Sequence, residues 1–329
     1  MTTPGALEIR RFHTEDDMDA VLALLEASLD WLADEHYRSF FSWKHWASPF
    51  GSSPAWVALD GNRVVGFRTF LRWEFERPGG SARAVRAVDT ATHPDYQGRG
   101  IFSRLTRHAL SEMEEEGVDF VFNTPNAQSL PGYLKMGWET VGRLPVSGRL
   151  RPRSLGRILR ARVPADLWSE PTDAGLRAGD ALVDRTAVER LLASQRPPVG
   201  LRTRRTAPYL LWRYSGFEPL GYRAVTLAGG VEEGIALFRL RRRGTALEAA
   251  VSDVLATGGD ARIAGSLLQA VDRRSRADHV VYMGGTGVWR ARFLPLPRQG
   301  PILTWRGLRE ARCPPLSTWQ LTIGDVELF

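Results

Sequence analysis

The chain has 329 residues, of which 43% are hydrophobic and eleven are Trp, so it is long and apolar enough for two globular domains and is not a disordered polypeptide. Its one cysteine, Cys313, excludes an internal disulfide and a cysteine-rich metal site, and it favours the reducing cytoplasm as the location. The net charge of +7 is compatible with an acidic partner, but the arginines that carry it are too dispersed to indicate nucleic-acid binding by themselves.

We expect no membrane segment and no metal site. No apolar run approaches the length that a bilayer requires, and the first residues lack the basic and apolar regions of a secretory signal. The six histidines do not have the spacing of a zinc site.

Residues 1–148 predict a mixed α/β domain. A helix beginning near Thr14 has an apolar face, and Asp60-Gly61-Asn62 predicts a hairpin turn between two β-rich runs. The predicted elements are, in chain order, a strand at 7–10, the helix from Thr14, strands at 56–59, 64–70 and 83–92, a helix at 101–116, a strand at 119–122, a helix at 127–136 and a strand near 138–144.

The most informative segment is 88–102, where a strand ends at His93-Pro94 and a turn with Gly98 and Gly100 leads directly into an amphipathic helix. The N-terminus of a helix has main-chain N–H groups without intrahelical partners and the positive end of the helix dipole, so it binds anions such as phosphate. Glycines let the backbone approach the anion because they have no Cβ. This turn is therefore predicted to bind a phosphate compound.

Two common phosphate loops do not fit this segment. The dinucleotide-binding loop needs a third glycine after Gly98 and Gly100, and the nucleoside-triphosphate loop needs Gly-Lys-Ser/Thr; both features are absent. The pattern Gln-x-x-Gly that begins at Gln97 instead resembles the pyrophosphate loop of the GNAT acyltransferase superfamily, which binds acyl-coenzyme A. It departs from the superfamily pattern at Phe102, where Gly or Ala is usual.

A second motif follows at the distance expected for the same superfamily. Its spacing, Asn-x2-Ser-x3-Tyr-x-Lys-x-Gly-Trp, is similar to a superfamily pattern that ends in Gly-Phe, and it comprises Asn126, Ser129, Tyr133, Lys135, Gly137 and Trp138. With both motifs in order, residues 7–145 are identified as a member of the GNAT superfamily.

The resemblance implies a fold class, a cosubstrate and site residues. The fold would be α/β (α+β), with a mixed, mostly antiparallel sheet flanked by helices, and the cosubstrate would be acyl-CoA, most simply acetyl-CoA. Tyr133 would be the general acid that protonates the leaving thiolate, and Asp89 the base, with His36 and His45 as other candidates for the base. The residues implied in cofactor binding are Thr90, Ala91 and Thr92 on the strand, Gln97, Gly98, Arg99, Gly100, Ile101 and Phe102 at the turn and helix, and Asn126.

The rest of the chain predicts a connector and a second copy of the domain. Residues 149–200 are rich in Arg and Pro and form the predicted helical connector. Residues 201–329 repeat the order of the first domain faintly, since 249–253 matches 85–89, 263–274 matches 101–113, and 278–282 matches 119–122. The second copy has neither the Gln-x-x-Gly turn nor the tyrosine motif, so the sequence predicts a tandem GNAT protein with a degenerate C-terminal copy.

The implied reaction is transfer of an acyl group to the amine of a small molecule or a peptide. A first alternative is an amide-forming enzyme on the same fold that uses aminoacyl-tRNA, which the basic stretch at 149–163 motivates and the intact CoA-type turn opposes. A second is a non-catalytic acyl-CoA-binding scaffold. The sequence leaves the acceptor, the acyl length and the choice between monomer and homodimer open.

Overall fold

The computed structural model describes residues 7–29, 35–160 and 163–327, which form two compact units. The first unit comprises the chain up to 75, 81–142 and 302–315, and the second comprises 76–80, 143–301 and the chain from 316 onwards. These limits differ from the predicted boundaries at 148 and 200, and the predicted connector at 149–200 falls within the second unit.

Among its described residues, the first unit has four α-helices and a sheet built largely from the N-terminal part of the chain. Its helices are α1 (Thr14–Leu29), α2 (Tyr37–Trp46), α3 (Ile101–Glu115) and α4 (Leu130–Lys135). Its N-terminal strands are β1 (Glu8–Arg11), β2 (Ala55–Asp60), β3 (Arg63–Arg77), β4 (Gly80–Thr92), β5 (Phe120–Asn123) and β6 (Glu139–Arg143). The predicted elements of this unit are confirmed, with ends that shift by a few residues.

Buried side chains lie on both faces of this sheet because β3 is long and points alternate residues to opposite sides. One core cluster includes Phe70, Leu105 and Tyr133, and the other includes Phe41 and Phe67. At Gly66 the strand lies so close to α3 that a Cβ would come within 2.6 Å of Ile101 Cγ2. This close approach sets the position of the N-terminal turn of α3 against the sheet.

The second unit repeats the order of elements of the first. Its helices are α5 (Leu155–Arg160), α6 (Ala178–Ala181), α7 (Arg185–Ala193), α8 (Ala207–Ser215), α9 (Gly230–Glu233), α10 (Ala261–Ser275) and α11 (Ile323–Val326). Its strands are β7 (Ser147–Leu150), β8 (Leu176–Arg177), β9 (Arg202–Thr203), β10 (Arg223–Leu227), β11 (Gly234–Arg243), β12 (Ala246–Ala256), β13 (His279–Tyr282) and β14 (Leu294–Pro295). The succession α8-β10-β11-β12-α10-β13 corresponds to α2-β2-β3-β4-α3-β5, so the predicted tandem arrangement is confirmed.

Each sheet includes a strand from outside the stretch of chain that the sequence assigned to its domain. β7 pairs antiparallel with β13, and the order in the second sheet is β14-β7-β13-β12-β11-β10-β8. A last strand, β15 (Ile302–Gly307), pairs antiparallel with β5, and the order in the first sheet is β1-β2-β3-β4-β5-β15-β6. Because β5 and β13 each need a partner on the side away from β4 and β12, the exchanged strands cover edges that would otherwise be open.

The sequence prediction placed each domain in one continuous stretch of chain, and it therefore missed this exchange. The segment predicted as a helical connector contains α6 and α7 as separate helices, because the Asp184 carboxylate accepts a hydrogen bond from the Ala187 N–H and begins a new helix there. Within 7–29, 35–160 and 163–327, no helix has both the length and the apolar character needed to cross a membrane.

Candidate active site

The turn between β4 and α3 exposes a set of main-chain donors. Gly98 and Gly100 have left-handed backbones (φ 74° and 75°), and a Cβ built on either glycine would meet nothing within 4 Å. No side chain caps α3, and in the described part of the chain no group accepts a hydrogen bond from the N–H groups of residues 98–103. The turn therefore offers the partnerless donors and open space that an anionic group needs.

Side chains around the turn hold it in place. The Tyr96 hydroxyl donates to Asp60 Oδ2 at 2.6 Å, which ties the turn to the end of β2. The Arg99 guanidinium lies 4.6 Å from the centroid of the Tyr96 ring and donates to the Asp95 carbonyl. The His93 ring accepts a hydrogen bond from the Asp95 N–H. Arg99 thus lies over Tyr96 and brings positive charge to the turn.

The end of β4 separates from β5. The two strands pair in parallel register only from Ala84↔Phe120 to Arg86↔Phe122, whereas β4 continues to Thr92. Residues 87–92, including the predicted site residues Thr90, Ala91 and Thr92, therefore extend past β5. The Thr90 hydroxyl donates to the Phe67 carbonyl on β3, so the side chain is held by β3. Main-chain groups on the β5 side of this segment can pair with an extended ligand.

Asp89 lies on this extension and has a left-handed backbone with φ of 27°, a region that Asp tolerates better than most residues. Its carboxylate contacts two side chains of α2. Lys44 Nζ lies 2.8 Å from Oδ2 and 3.0 Å from Oδ1, and His45 Nε2 lies 2.7 Å from Oδ2. His45 Nδ1 in turn lies 2.9 Å from Ser53 Oγ. These contacts form a buried Lys44–Asp89–His45–Ser53 cluster.

The charge states of this cluster follow from its burial. Burial alone would raise the pKa of Asp89, but the charge of Lys44 and the hydrogen bond from His45 outweigh it and hold the pKa well below its usual range. Burial lowers the pKa of His45, although the Asp89 carboxylate opposes the shift. Asp89 is therefore ionised and His45 neutral at physiological pH. Because a carboxylate can only accept, His45 carries its proton on Nε2, and Nδ1 accepts from the Ser53 hydroxyl.

Tyr133 is buried on α4, and its ring contacts α3 and β3. The Phe102 ring lies edge-on to it at 5.4 Å between centroids, so Phe102 packs beside the phenol. The Tyr133 hydroxyl accepts a hydrogen bond of 2.9 Å from Arg68 Nη1 on β3. The centroid of the Trp138 ring lies 5.1 Å from that of the Tyr133 ring. The phenol is therefore held firmly by its neighbours.

Asn126 stabilises the turn that leads into α4. Its Oδ1 accepts from the Ser129 N–H at 2.8 Å and from the Ser129 hydroxyl at 2.9 Å. The structure thus gives Asn126 a capping contact close to the start of the helix that carries Tyr133.

In the second unit, a side chain caps the corresponding helix start. Asp260 caps α10, and its Oδ1 accepts from the Arg262 N–H at 2.6 Å. Hydrogen bonds from the Arg262 side chain and main chain lower the pKa of Asp260 to about 2, so a negative charge lies at this helix end. A second anion there would be repelled, in contrast to the uncapped start of α3.

The structure brings together most of the predicted site residues and adds three. The turn, the end of β4 and Asp89 belong to one continuous segment, and Tyr133 lies against Phe102. The structure brings His45 to Asp89, whereas His36 lies before α2 and its carbonyl accepts from the Phe40 N–H. Sequence reasoning missed Arg68, Lys44 and Ser53. A charged residue in the mostly apolar run 64–71 was the available signal for Arg68.

No described part of the chain groups three or more His, Cys, Asp or Glu side chains as metal ligands would be grouped.

The sequence matches one family model. Residues 8–141 match the model of the acetyltransferase (GNAT) domain. No protein in the curated set matches the chain.

Solved structures share the fold over nearly the whole chain. A GCN5-related N-acetyltransferase from Anabaena variabilis is 15% identical, with a TM-score of 0.61. The match covers 92% of this chain and 73% of that protein's chain. One from Kribbella flavida is 16% identical with a TM-score of 0.58, covering 94% and 73%. A probable N-acyltransferase from Enterococcus faecalis is 12% identical with a TM-score of 0.59, covering 92% and 73%. At these identities the likeness shows the fold alone. Together with the family match, it establishes that residues 8–141 of this chain are a GNAT acetyltransferase domain within a tandem GNAT fold.

Proposed function

We propose that this protein is an N-acyltransferase that uses acyl-CoA, most simply acetyl-CoA, and acylates the amine of a small molecule or a peptide. The observation that carries the proposal is the difference between the two units at one helix start. The start of α3 is uncapped and glycine-lined beside buried Tyr133, whereas Asp260 places a carboxylate on the start of α10. We therefore assign catalysis to the N-terminal copy and treat the C-terminal copy as degenerate.

The cosubstrate would lie along the segment from β4 to α3. The N–H groups of Gly98, Arg99, Gly100, Ile101 and Phe102 are the proposed donors to the diphosphate. The Gln97 N–H already donates to the Pro94 carbonyl at 3.2 Å, so Gln97 would contribute through its exposed side chain. A hydrogen bond to a charged group contributes about 1.5–3 kcal/mol, so several of them suffice for firm binding. Thr90, Ala91 and Thr92 would pair with the pantetheine arm as a neighbouring strand would, because β5 does not extend to them. Asn126 would lie beside the same arm while it keeps its bonds to Ser129.

The acceptor amine must lose a proton during the reaction. A lysine-like amine with a pKa of about 10.4 is almost fully protonated at pH 7. Asp89 is the proposed proton acceptor, reached directly or through water, and Lys44 and His45 hold it ionised. A carboxylate with a depressed pKa is a weak base, so it serves best once the C–N bond is forming and the nitrogen has become more acidic.

Tyr133 is the proposed general acid for the leaving thiolate. Its hydroxyl accepts from Arg68, so its own proton is directed to another acceptor. Loss of a general acid typically lowers a rate by about 10²- to 10⁴-fold. The Phe102 ring beside Tyr133 narrows the neighbouring space and favours a short acyl group. The single cysteine supports the cytoplasm as the site of the reaction.

The test is an assay of thiol release from acetyl-CoA with a panel of amines. We expect release that depends on the amine, and we expect Tyr133→Phe to lower it by about 10²-fold or more with little change in CoA binding. Tyr282→Phe, in the second unit, is the matched control and should retain activity. Unchanged turnover in Tyr133→Phe would refute the role of Tyr133 as the general acid.

The two alternatives predict other results in the same experiments. An enzyme that uses aminoacyl-tRNA would bind tRNA with a steep salt dependence and release no thiol from acetyl-CoA. A scaffold would bind acetyl-CoA without turnover, and Tyr133→Phe would leave its behaviour unchanged.

A further inference from the structure

Arg68 is a buried cation in the core of the first unit. It is 0% exposed, and its Nη1 donates to the Tyr133 hydroxyl at 2.9 Å. Its Nε and Nη2 have no hydrogen-bond partner among the described residues, and it forms no ion pair with a carboxylate in that part of the chain. Burying a charge without a carboxylate is costly, so its presence needs a reason beyond packing.

Buried arginines of the second unit have polar partners. Arg205 donates to Asp253 at 2.6 Å and to Asp325 at 3.3 Å. Arg213 donates to the Gly324 and Glu327 carbonyls and to the Tyr222 hydroxyl. These two guanidiniums are anchored, whereas Arg68 is bonded to the phenol of Tyr133.

The fold itself accepts an apolar residue at the position of Arg68. Gly66 lies against α3, and Gly234 lies against α10 in the same way, with a built Cβ 3.1 Å from Ile263 and Leu267 atoms. Two residues after Gly234 the chain has Ala236, which is fully buried in an apolar cluster. The arginine therefore occurs only in the copy with the uncapped helix start and the tyrosine.

Aromatic rings surround the cation. Its Cζ lies 4.2 Å from the centroid of the Phe70 ring and 5.5 and 5.4 Å from those of Phe102 and Tyr133. Cation–π contacts offset part of the desolvation without neutralising the charge. The guanidinium therefore remains charged beside the Tyr133 oxygen, to which its Nη1 donates.

We propose that Arg68 is a positioning residue for the proton of Tyr133, an inference that rests on the function proposed above. A guanidinium can only donate, so the phenol oxygen accepts from Arg68 and its O–H points towards a different acceptor. In the transfer step the phenolic O–H bond breaks, the proton goes to the thiolate sulfur, and the electron pair stays on oxygen. The resulting phenolate remains bonded to the guanidinium until solvent returns a proton.

The test is a double-mutant cycle with Arg68→Met and Tyr133→Phe, read as kcat and KM for acetyl-CoA. A charge-assisted hydrogen bond of about 1.5–3 kcal/mol corresponds to a loss of about 10- to 150-fold in kcat for Arg68→Met, with KM nearly unchanged. Arg68→Lys keeps a cation and should recover part of the loss. In the Tyr133→Phe background, Arg68→Met should have almost no further effect, because Arg68 acts through the hydroxyl.

Thermal unfolding separates this role from a structural one. Replacing a buried charge that has no carboxylate partner by Met should leave the Tm unchanged or raise it. A lowered Tm together with a proportional loss of activity would overturn the proposal in favour of a packing role. Equal losses for Arg68→Met in the two backgrounds would overturn it as well. If Tyr133→Phe alone does not change kcat, Tyr133 is not the general acid and the proposed function is refuted in that part. If Tyr133→Phe lowers kcat strongly but Arg68→Met does not change it, only the role of Arg68 is refuted.

Discussion

Lys44→Met removes one partner of a buried ion pair in the first unit. The Lys44 and Asp89 side chains are 2% and 5% exposed, and the ammonium lies 2.8 Å from the nearer carboxylate oxygen. Breaking a buried pair leaves the other charge without compensation and costs about 3–5 kcal/mol. His45 still donates to Asp89 in the variant, which places the expected loss at the lower end of that range.

The assay is urea unfolding followed by Trp fluorescence, with thermal unfolding in parallel. For a unit of this size, about 3–5 kcal/mol corresponds to a Tm lower by about 6–20 °C. Lys135→Met is the matched control, since Lys135 is the one other lysine of the chain and is exposed on α4. Adding Asp89→Asn to Lys44→Met should restore much of the loss, because no buried charge then remains unpaired.

A loss below about 1 kcal/mol for Lys44→Met would refute this reasoning, since a value of that size is typical of an exposed pair. Strict additivity of Lys44→Met and Asp89→Asn would refute it equally, because it would show that the two groups do not interact.

Three further predictions concern pH, packing and the second unit. Burial lowers the pKa of His45, so its contribution to stability is present above about pH 6.5, the ordinary histidine value of the unfolded chain, and is lost as pH falls below that value and through the lowered pKa of the folded protein. His45→Gln should flatten the dependence of unfolding free energy on pH between about 7 and 5, and equal slopes would contradict this. Gly66→Ala places a Cβ 2.6 Å from Ile101, so it should lower the free energy of unfolding by about 1–3 kcal/mol and weaken CoA binding. Gly285→Ala is the control, since its Cβ meets nothing within 4 Å, and it should leave the free energy of unfolding unchanged in the same denaturation experiment. Arg205→Met leaves the Asp253 carboxylate without its guanidinium partner and should lower the Tm, whereas Arg68→Met should leave the Tm unchanged or raise it. Similar Tm shifts for the two variants would contradict the contrast between these arginines.

Much of the structure of the first unit could be predicted from the sequence, because the patterns that indicate its elements are local. The turn with Gly98 and Gly100 lies between a β-rich run and an amphipathic helix, and each of these elements forms where the pattern predicts it. The Tyr133 motif also follows local spacing, and it begins α4 as expected. Periodicity and turn chemistry therefore sufficed to predict the frame of the candidate site.

The parts that the sequence did not predict depend on contacts between distant residues. The Lys44–Asp89 contact joins residues 45 positions apart, and Arg68 reaches Tyr133 across 65 positions. The exchange of β7 and β15 depends on which strand edges need a partner, and a pattern of apolar residues does not encode that choice. The sequence identifies Phe102 as a departure from the superfamily pattern, and the structure shows that its ring packs against Tyr133.

The most direct test of the account is calorimetric titration of CoA into the wild-type protein and into Gly100→Asp and Gly100→Asn. A side chain at Gly100 has open space, and Asp and Asn both tolerate its left-handed backbone, so the two variants differ chiefly in charge. If the start of α3 binds the diphosphate, the wild type should bind CoA, and Asp should weaken binding at least about tenfold more than Asn through repulsion between anions. The absence of heat with wild-type protein at millimolar CoA, or equal affinities for the two variants, would contradict the account.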